Sequence, residues 1–426
     1  MAAMRGYIKK ALVLGACFMG CGAAMPGMAA DALPSGDGGV SAFYQWAAPL
    51  PQAYGTVLRQ ETYEALGLGY HGYRVLYTAR DGVREGQIAP VSGVLYLPQG
   101  KPPAAGWPVV AWAHGTTGVA DVCAPSWRGS SPRDLAYFKK WLNHGYAVFG
   151  TDYQGLGTQG VHPYLLYKPE GYSILDGVQA VLKAYPHLLA NDIVVVGQSQ
   201  GSGAALGAGY LAPQVAPDLH ILAVIASGLV LDIQDRHQAP FIAESAYQGG
   251  DDVDAAYSTL YFLGSLQALG YQGLSGLIRD KGREIIDLAS HACLHDLMDY
   301  AKARHMKADD IYTPGVEHYE HMAQQARMLP DAYQKAPVFT ATGLADSEAG
   351  IIPQYNAIAA LCAADDHVEW HYYPGLTHSG TVNVAFADEL HFITALRAGR
   401  RPVSNCKALH APGPLQVPDQ HVPFNY

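Results

Sequence analysis

Short runs of almost wholly apolar residues recur along this chain: Val109-Val110-Ala111-Trp112-Ala113, Tyr146 to Thr151, Ile193 to Val196, Ile221 to Ile225 and Val338 to Thr342. A strand so uniformly apolar is buried on both faces, and only a sheet covered by helices on both sides offers that environment. Helix-like segments near Gly171 to Ala184 and from Ser199 onward separate several of these runs, and Ile352 to Cys362 and Val382 to Ala398 follow the later strands. The alternation predicts an α/β fold with a mostly parallel central sheet and right-handed helical crossovers. Ahead of it, Gly72 to Ala79 and Val91 to Leu97 read as a hairpin, and His367 to Tyr373 reads as a last strand. From Asp232 to Ala336 the apolar spacing turns helical, which marks an insertion. The expected organisation is a core in two parts, residues 40–234 and 336–400, split by a helical insertion at 235–335 and followed by a Pro-rich tail at 401–426.

The first thirty residues read differently. A basic start (Arg5, Lys9, Lys10), an apolar stretch from Ala11 to Cys21 and the small residues Met28-Ala29-Ala30 before Asp31 form a secretory leader, with the mature chain expected near Asp31. Leu14-Gly15-Ala16-Cys17 offers an alternative, a lipoprotein signal that would retain the chain through Cys17. Either way the chain is expected to be exported, secreted or periplasmic. Without the leader, Cys123, Cys293, Cys362 and Cys406 remain, an even set suited to disulfides in an oxidising compartment. Three pairings are permitted. The favoured one joins Cys362 with Cys406, stapling the tail, and Cys123 with Cys293, tying the insertion to a loop of the core; free buried thiols are the alternative.

A formal charge of -10 with 27 Lys and Arg against 37 Asp and Glu excludes a nucleic-acid partner, which would need clustered cations to neutralise phosphates. Hydrophobic residues at 49% and charged residues at 15% likewise exclude a disordered chain.

Gly197-Gln198-Ser199-Gln200-Gly201 directly follows the run Ile193 to Val196 and opens a small-residue helix. A sharp strand-to-helix turn lifts the Ser hydroxyl above the sheet edge, with Gly197 and Gly201 allowing close approach of neighbouring chain. A serine hydroxyl needs a base within reach, and the base needs an acid that sets its tautomer. Asp346 follows the strand Val338 to Thr342 through Gly343-Leu344-Ala345, and His378 follows the last strand through Pro374-Gly375-Leu376-Thr377. The order Ser, Asp, His, with the last two in loops after later strands, suits a nucleophile, an orienting acid and a base. Glu348 is the spare acid, and His367, His371 and His391 are rivals that lie inside elements. Donors for a developing oxyanion are expected from the N–H of Gln200 and from the loop His114-Gly115-Thr116-Thr117-Gly118, with Thr116 ahead of Thr117.

These residues, together with Cys123-Ala124-Pro125-Ser126, Asp152-Tyr153-Gln154-Gly155-Leu156-Gly157, His162-Pro163-Tyr164 and Ile174-Leu175-Asp176, make the chain resemble the secretory lipase family of α/β-hydrolases, from about Phe43 to Ala398. The resemblance implies the α/β-hydrolase fold, acyl-ester or lipid substrates and a helical cap at about 235–335. The residues themselves call for a serine mechanism with no metal and no cofactor, and a lipid substrate leaves room for contact with a lipid interface. One departure stands out: some relatives carry an acidic residue in the oxyanion loop, where this chain reads Gly115-Thr116-Thr117.

Other readings stay open at this level. A peptidase or acyltransferase would use the same residues, and a binding protein on the same fold would use none of them. Asp152 and Tyr153 could line a pocket or brace a Gly-rich loop, while Asp176 is expected as a structural partner. His291 with His295, and His318 with His321, are spaced closely enough to hold a metal, yet no zinc pattern completes either pair.

Overall fold

In a computed structural model, residues 33–64, 69–235, 242, 251–364, 367–401 and 403–426 are described. The leader reading, Cys17 included, lies outside them. Among the described residues eleven strands form: β1 Val57–Thr62, β2 Gly72–Arg80, β3 Ile88–Tyr96, β4 Trp107–Ala113, β5 Ala147–Thr151, β6 Leu189–Gln198, β7 Ile221–Ser227, β8 Ile233–Asp235, β9 Leu329–Asp331, β10 Val338–Gly343 and β11 Val368–Tyr373. A nine-stranded sheet runs in the order β1-β2-β3-β5-β4-β6-β7-β10-β11, and β8 pairs with β9 apart from it. From β5 to β11 every neighbouring pair is parallel, whereas β1, β2, β3 and β5 pair antiparallel. The fold is that of an α/β-hydrolase, and the expected hairpin is β2 with β3.

Side-chain alternation along the strands feeds two cores. Val109, Ala111, Ile193 and Val195 enter one cluster with the helices Tyr167–Ala184, Gln200–Val215 and Ile351–Ala364. Val110, Trp112, Val194 and Val196 enter another with Tyr137, Phe138 and Trp141 of the helix Pro132–Asn143 and Phe386 and Phe392 of the helix Phe386–Arg397. A period of two with both faces covered is what the uniform apolar runs require. The helix Pro132–Asn143 is absent from the sequence expectations although its signals are present. Ser131 caps it by accepting the Asp134 N–H at 3.1 Å, Pro132 takes its first position, and Tyr137, Phe138, Trp141 and Leu142 repeat on one face. Strand β1 was likewise unanticipated. The segment Val382 to Ala398 folds as two helices, Gly380–Val384 and Phe386–Arg397.

Between β8 and β9 the described residues form helices, among them Asp251–Tyr261, Leu294–Ala303 and Val316–Arg327. They close their own apolar cluster around Leu260, Phe262, Ile285, Leu297 and Ile311, which also takes in Val119 and Tyr164 from the loops of the sheet. The favoured disulfides are present, Cys123 with Cys293 and Cys362 with Cys406. Among the described residues no helix is long and apolar enough to cross a membrane.

The tail is held by specific contacts. Asn405 Nδ2 donates to the Trp370 carbonyl, and its Oδ1 accepts the Trp370 N–H at 2.9 Å, so it copies a strand neighbour for β11. Asn425 Oδ1 accepts the Thr377 N–H at 2.7 Å and the Thr377 hydroxyl at 3.0 Å, while its Nδ2 donates to the Gly375 carbonyl at 2.9 Å. Replacing Asn425 with Ala leaves the buried Thr377 N–H without its partner, while the Gly375 carbonyl keeps the Asp419 N–H at 2.9 Å. Urea unfolding is expected to show a loss of about 1–3 kcal/mol; an unchanged midpoint would mean that water takes over the Thr377 contact.

Candidate active site

The turn after β6 holds Ser199 at φ 58° and ψ -125°, a left-handed conformation costly for any residue with a Cβ. Backbone bonds enforce it. The Ser199 N–H donates to the Ser227 carbonyl of β7 at 3.1 Å, and the Ser199 carbonyl accepts from the Ser202 N–H at 2.8 Å and the Ser202 hydroxyl at 2.6 Å. Both flanking glycines are needed for space: a Cβ on Gly197 would lie 1.8 Å from the Gly201 carbonyl oxygen, and one on Gly201 would lie 1.9 Å from the Ala113 carbonyl oxygen at the end of β4. The helix Gln200–Val215 starts at once behind the hydroxyl, so its unpaired first N–H groups face the same region.

Asp346, three residues beyond β10, is fully buried and ringed by donors. Its Oδ1 accepts the N–H groups of Glu348 and Ala349, each at 3.0 Å, and its Oδ2 accepts Gln354 Nε2 and His378 Nδ1, each at 2.8 Å. Burial raises its pKa, but the charge and hydrogen bond of His378, the Ala349 N–H and Gln354 outweigh that and hold the carboxyl below its ordinary value. For His378, burial works downward and the facing Asp346 carboxylate, helped by Glu348, works upward; the upward effect wins and the imidazole lies above its ordinary value. Since Nδ1 donates to Asp346, Nε2 is the nitrogen left to accept a proton. The ring packs over Gly228, where a Cβ would stand 2.7 Å from it.

Ser199, Gln200, Thr116 and His378 line one cavity of about 740 Å³, together with Tyr257 and Tyr261 of the helix Asp251–Tyr261. Asp346 stands behind His378, outside the lining, and Glu348, the spare acid, lines the cavity and accepts the Tyr257 hydroxyl at 3.1 Å instead of the imidazole. Thr116 pairs its hydroxyl with Tyr164 at 2.8 Å. Thr117 is outside the lining; its carbonyl accepts the N–H of Leu294, the first residue of an insertion helix, at 2.9 Å. Asp152 and Tyr153 brace rather than line. Asp152 accepts the Ser92 hydroxyl at 2.6 Å and the Ser126 N–H at 2.8 Å, and the Tyr153 hydroxyl donates to the His114 carbonyl at 2.9 Å. Asp176 pairs with Arg80. Among the described residues no group of three His, Cys, Asp or Glu could hold a metal, His291 and His295 included.

Several residues in this architecture carried no sequence signal for it. Gln354 joins Asp346 to the Leu229 N–H at 3.2 Å and the Thr342 hydroxyl at 3.0 Å. Arg133 donates to Gln198 Oε1 at 3.1 Å and to the Ser379 hydroxyl at 3.3 Å, bridging the residue before Ser199 and the residue after His378.

Comparison with known proteins points the same way. A family model described as secretory lipase matches residues 131–371. Lipase A of Moesziomyces aphidis is 24% identical over 272 residues, 62% of this chain and 57% of that protein, so the chain spans less than two thirds of that relative's length. Among solved structures, Candida antarctica lipase A in its closed state superposes with a TM-score of 0.64 at 16% identity over 86% of each chain. The rice cell wall degrading esterase LipA of Xanthomonas oryzae superposes with a TM-score of 0.61 at 17% identity over 81% of this chain and 97% of that one. At such identities the structural likeness speaks for the fold, while the family match covers more than half of the sequence. On that match, and on the sheet that agrees with it, the chain belongs to the secretory lipase family of α/β-hydrolases.

Proposed function

We propose that this protein is an exported serine ester hydrolase that cleaves acyl esters through a covalent acyl-enzyme on Ser199. The observation that carries the reading is the His378 imidazole, hydrogen-bonded to a four-donor carboxylate through Nδ1 and lining the same cavity as Ser199. In that mechanism His378 Nε2 takes the Ser199 proton as the oxygen attacks the ester carbonyl, and Asp346 stabilises the imidazolium. The oxyanion that forms meets the Gln200 N–H and an N–H from the loop 115–117, with Thr116 the better placed of its two threonines because it lines the cavity. His378 then protonates the departing alcohol, and water attacks the acyl-enzyme by the same route in reverse.

The cavity volume of about 740 Å³ lies within the range of small-molecule sites and admits an acyl chain with its alcohol. Its wall mixes Leu229, Leu231 and Pro353 with tyrosines and carboxylates. The family's description as secretory, and two disulfides in the chain, support export.

Replacing Ser199 with Ala is expected to lower kcat for 4-nitrophenyl butyrate by roughly 10⁵-fold with the fold intact; turnover at the native rate would end the serine reading. The pH profile follows from the raised His378. A base works unprotonated, so kcat/KM falls as pH drops through a midpoint above that of an ordinary histidine. Asp346→Asn removes the charge responsible, and it is expected to shift that acid limb downward and to reduce kcat roughly 10⁴-fold. An acid limb unmoved by the substitution would assign it to another group.

A further inference from the structure

The side chain of Gln200 points inward, away from solvent, and is 1% exposed. Its amide nitrogen donates to Glu170 Oε1 at 2.7 Å and to His162 Nε2 at 3.0 Å. The second partner fixes the amide's orientation: His162 Nδ1 sits 3.0 Å from the Gln154 carbonyl and must carry the hydrogen, which leaves Nε2 as an acceptor. Burial pushes His162 down to about 4, so it stays neutral. Both hydrogens of the Gln200 amide are thereby committed.

Glu170 lies in the first turn of the helix Tyr167–Ala184, is 2% exposed and lines the cavity shared by Ser199 and His378. Besides Gln200, its Oε1 accepts the N–H of Leu165 at 2.9 Å, a residue held at φ 60°. Those two donors are neutral. A buried carboxylate without a cation is expensive, and burial, partly offset by the two hydrogen bonds, pushes Glu170 up to about 8. The proposed mechanism leaves this acid without a role.

We propose that Glu170 is a positioning residue for the oxyanion site: it anchors Gln200 so that the N–H behind Ser199 keeps its aim, and it serves in the uncharged form. The proposal rests on the reading of Ser199 as nucleophile. Anchoring matters because an amide side chain released at this position would be free to turn into the cavity in front of the serine. Charge matters because an ionised carboxylate in the cavity wall opposes the negative charge that grows on the substrate oxygen during attack. Activity then has an alkaline limit set by Glu170, in addition to the acid limit set by His378.

Other titratable groups stand near Glu170. His162 and His114 beyond it are both lowered by burial, away from the alkaline side. Tyr153, Tyr164 and Tyr167 are all raised by burial and keep their protons well past this range. Arg327, Glu320, His321, Glu348 and His378 line the cavity as well, and burial holds Glu320 above its ordinary value; E170Q leaves all of them in place, so an alkaline limb that any of them supplied would persist in that variant.

The test measures kcat and KM for 4-nitrophenyl butyrate from about pH 5 to about pH 10, with the spontaneous reaction subtracted, on the native protein and on E170Q, E170L and S199A. In the native protein kcat is expected to fall roughly tenfold above a midpoint near 8. E170Q keeps an acceptor for Gln200 and Leu165 but cannot ionise, so its profile stays flat there. E170L loses the anchor, and its kcat at neutral pH drops roughly 10–100-fold with little change in KM, while E170Q restores most of that loss. An alkaline fall in E170Q at the native midpoint, or no such fall in the native protein, overturns the proposal. Should E170L fail to fold, the comparison of E170Q with the native protein still decides. Turnover by S199A would defeat the serine reading itself, whereas an inert S199A beside an unshifted E170Q profile defeats only the role given to Glu170.

Discussion

Where the helix Gln200–Val215 crosses the end of β4, the backbone of Gly201 presses against the Ala113 carbonyl with no room for a single added carbon, and Gly197 presses against Gly201 in the same way. This contact locks β4, β6 and the helix together and leaves Ser199 no conformation except the left-handed one it adopts. Everything else at the sheet edge is arranged around that fixed point. The Ser199 N–H reaches β7, the loop after β4 lies beside it, and Gly228 at the end of β7 provides the shelf on which His378 rests. Strain of this kind persists only where the surroundings over-determine it, and here three elements do so.

Electrostatics in the site follow from how donors are distributed among buried carboxyls. Asp346 has four, two of them backbone N–H groups from its own turn, and so remains charged although it is fully buried. Glu170 has two neutral donors and no cation, and burial carries it the other way. The same residue chemistry thus yields a carboxyl held below its ordinary value behind His378 and one held above it beside Gln200. Asp176, buried against Arg80, falls between them at about 6.

The helices between β8 and β9 are joined to the loop that carries Thr116 by three kinds of bond. Cys123 with Cys293 supplies a covalent link, the Thr117 carbonyl accepts the Leu294 N–H, and Tyr164 holds Thr116 by its hydroxyl while its carbonyl accepts the Ser265 hydroxyl. A link that spans 170 residues of sequence removes much freedom from the unfolded chain. It also places helices that line the cavity and the loop that carries Thr116 on a common support. On the other side, Asn425 from the tail pins the turn Gly375 to Thr377 that presents His378, so the last strand's loop is shaped by residues nearly fifty positions later.

The sequence alone determined the layered α/β architecture, because strands buried on both faces must be apolar at every position and that pattern survives in one dimension. It also determined the turn at 197–201 and the chain order of Ser199, Asp346 and His378, since glycine spacing and the ends of strands are local properties. The helix Pro132–Asn143 was equally local, with a capping serine and a repeating apolar face, and could have been found from those signals. Tertiary structure decided the rest: that Gln354 and not a backbone group completes the shell of Asp346, that Arg133 bridges Gln198 to Ser379, that Asn425 braces the His378 loop, and that Gln200 turns back onto Glu170 and His162. Each of these is a polar contact between residues far apart in the chain or on different elements. A polar side chain looks the same in sequence whether water or a buried partner satisfies it, and only the folded packing removes the water and names the partner.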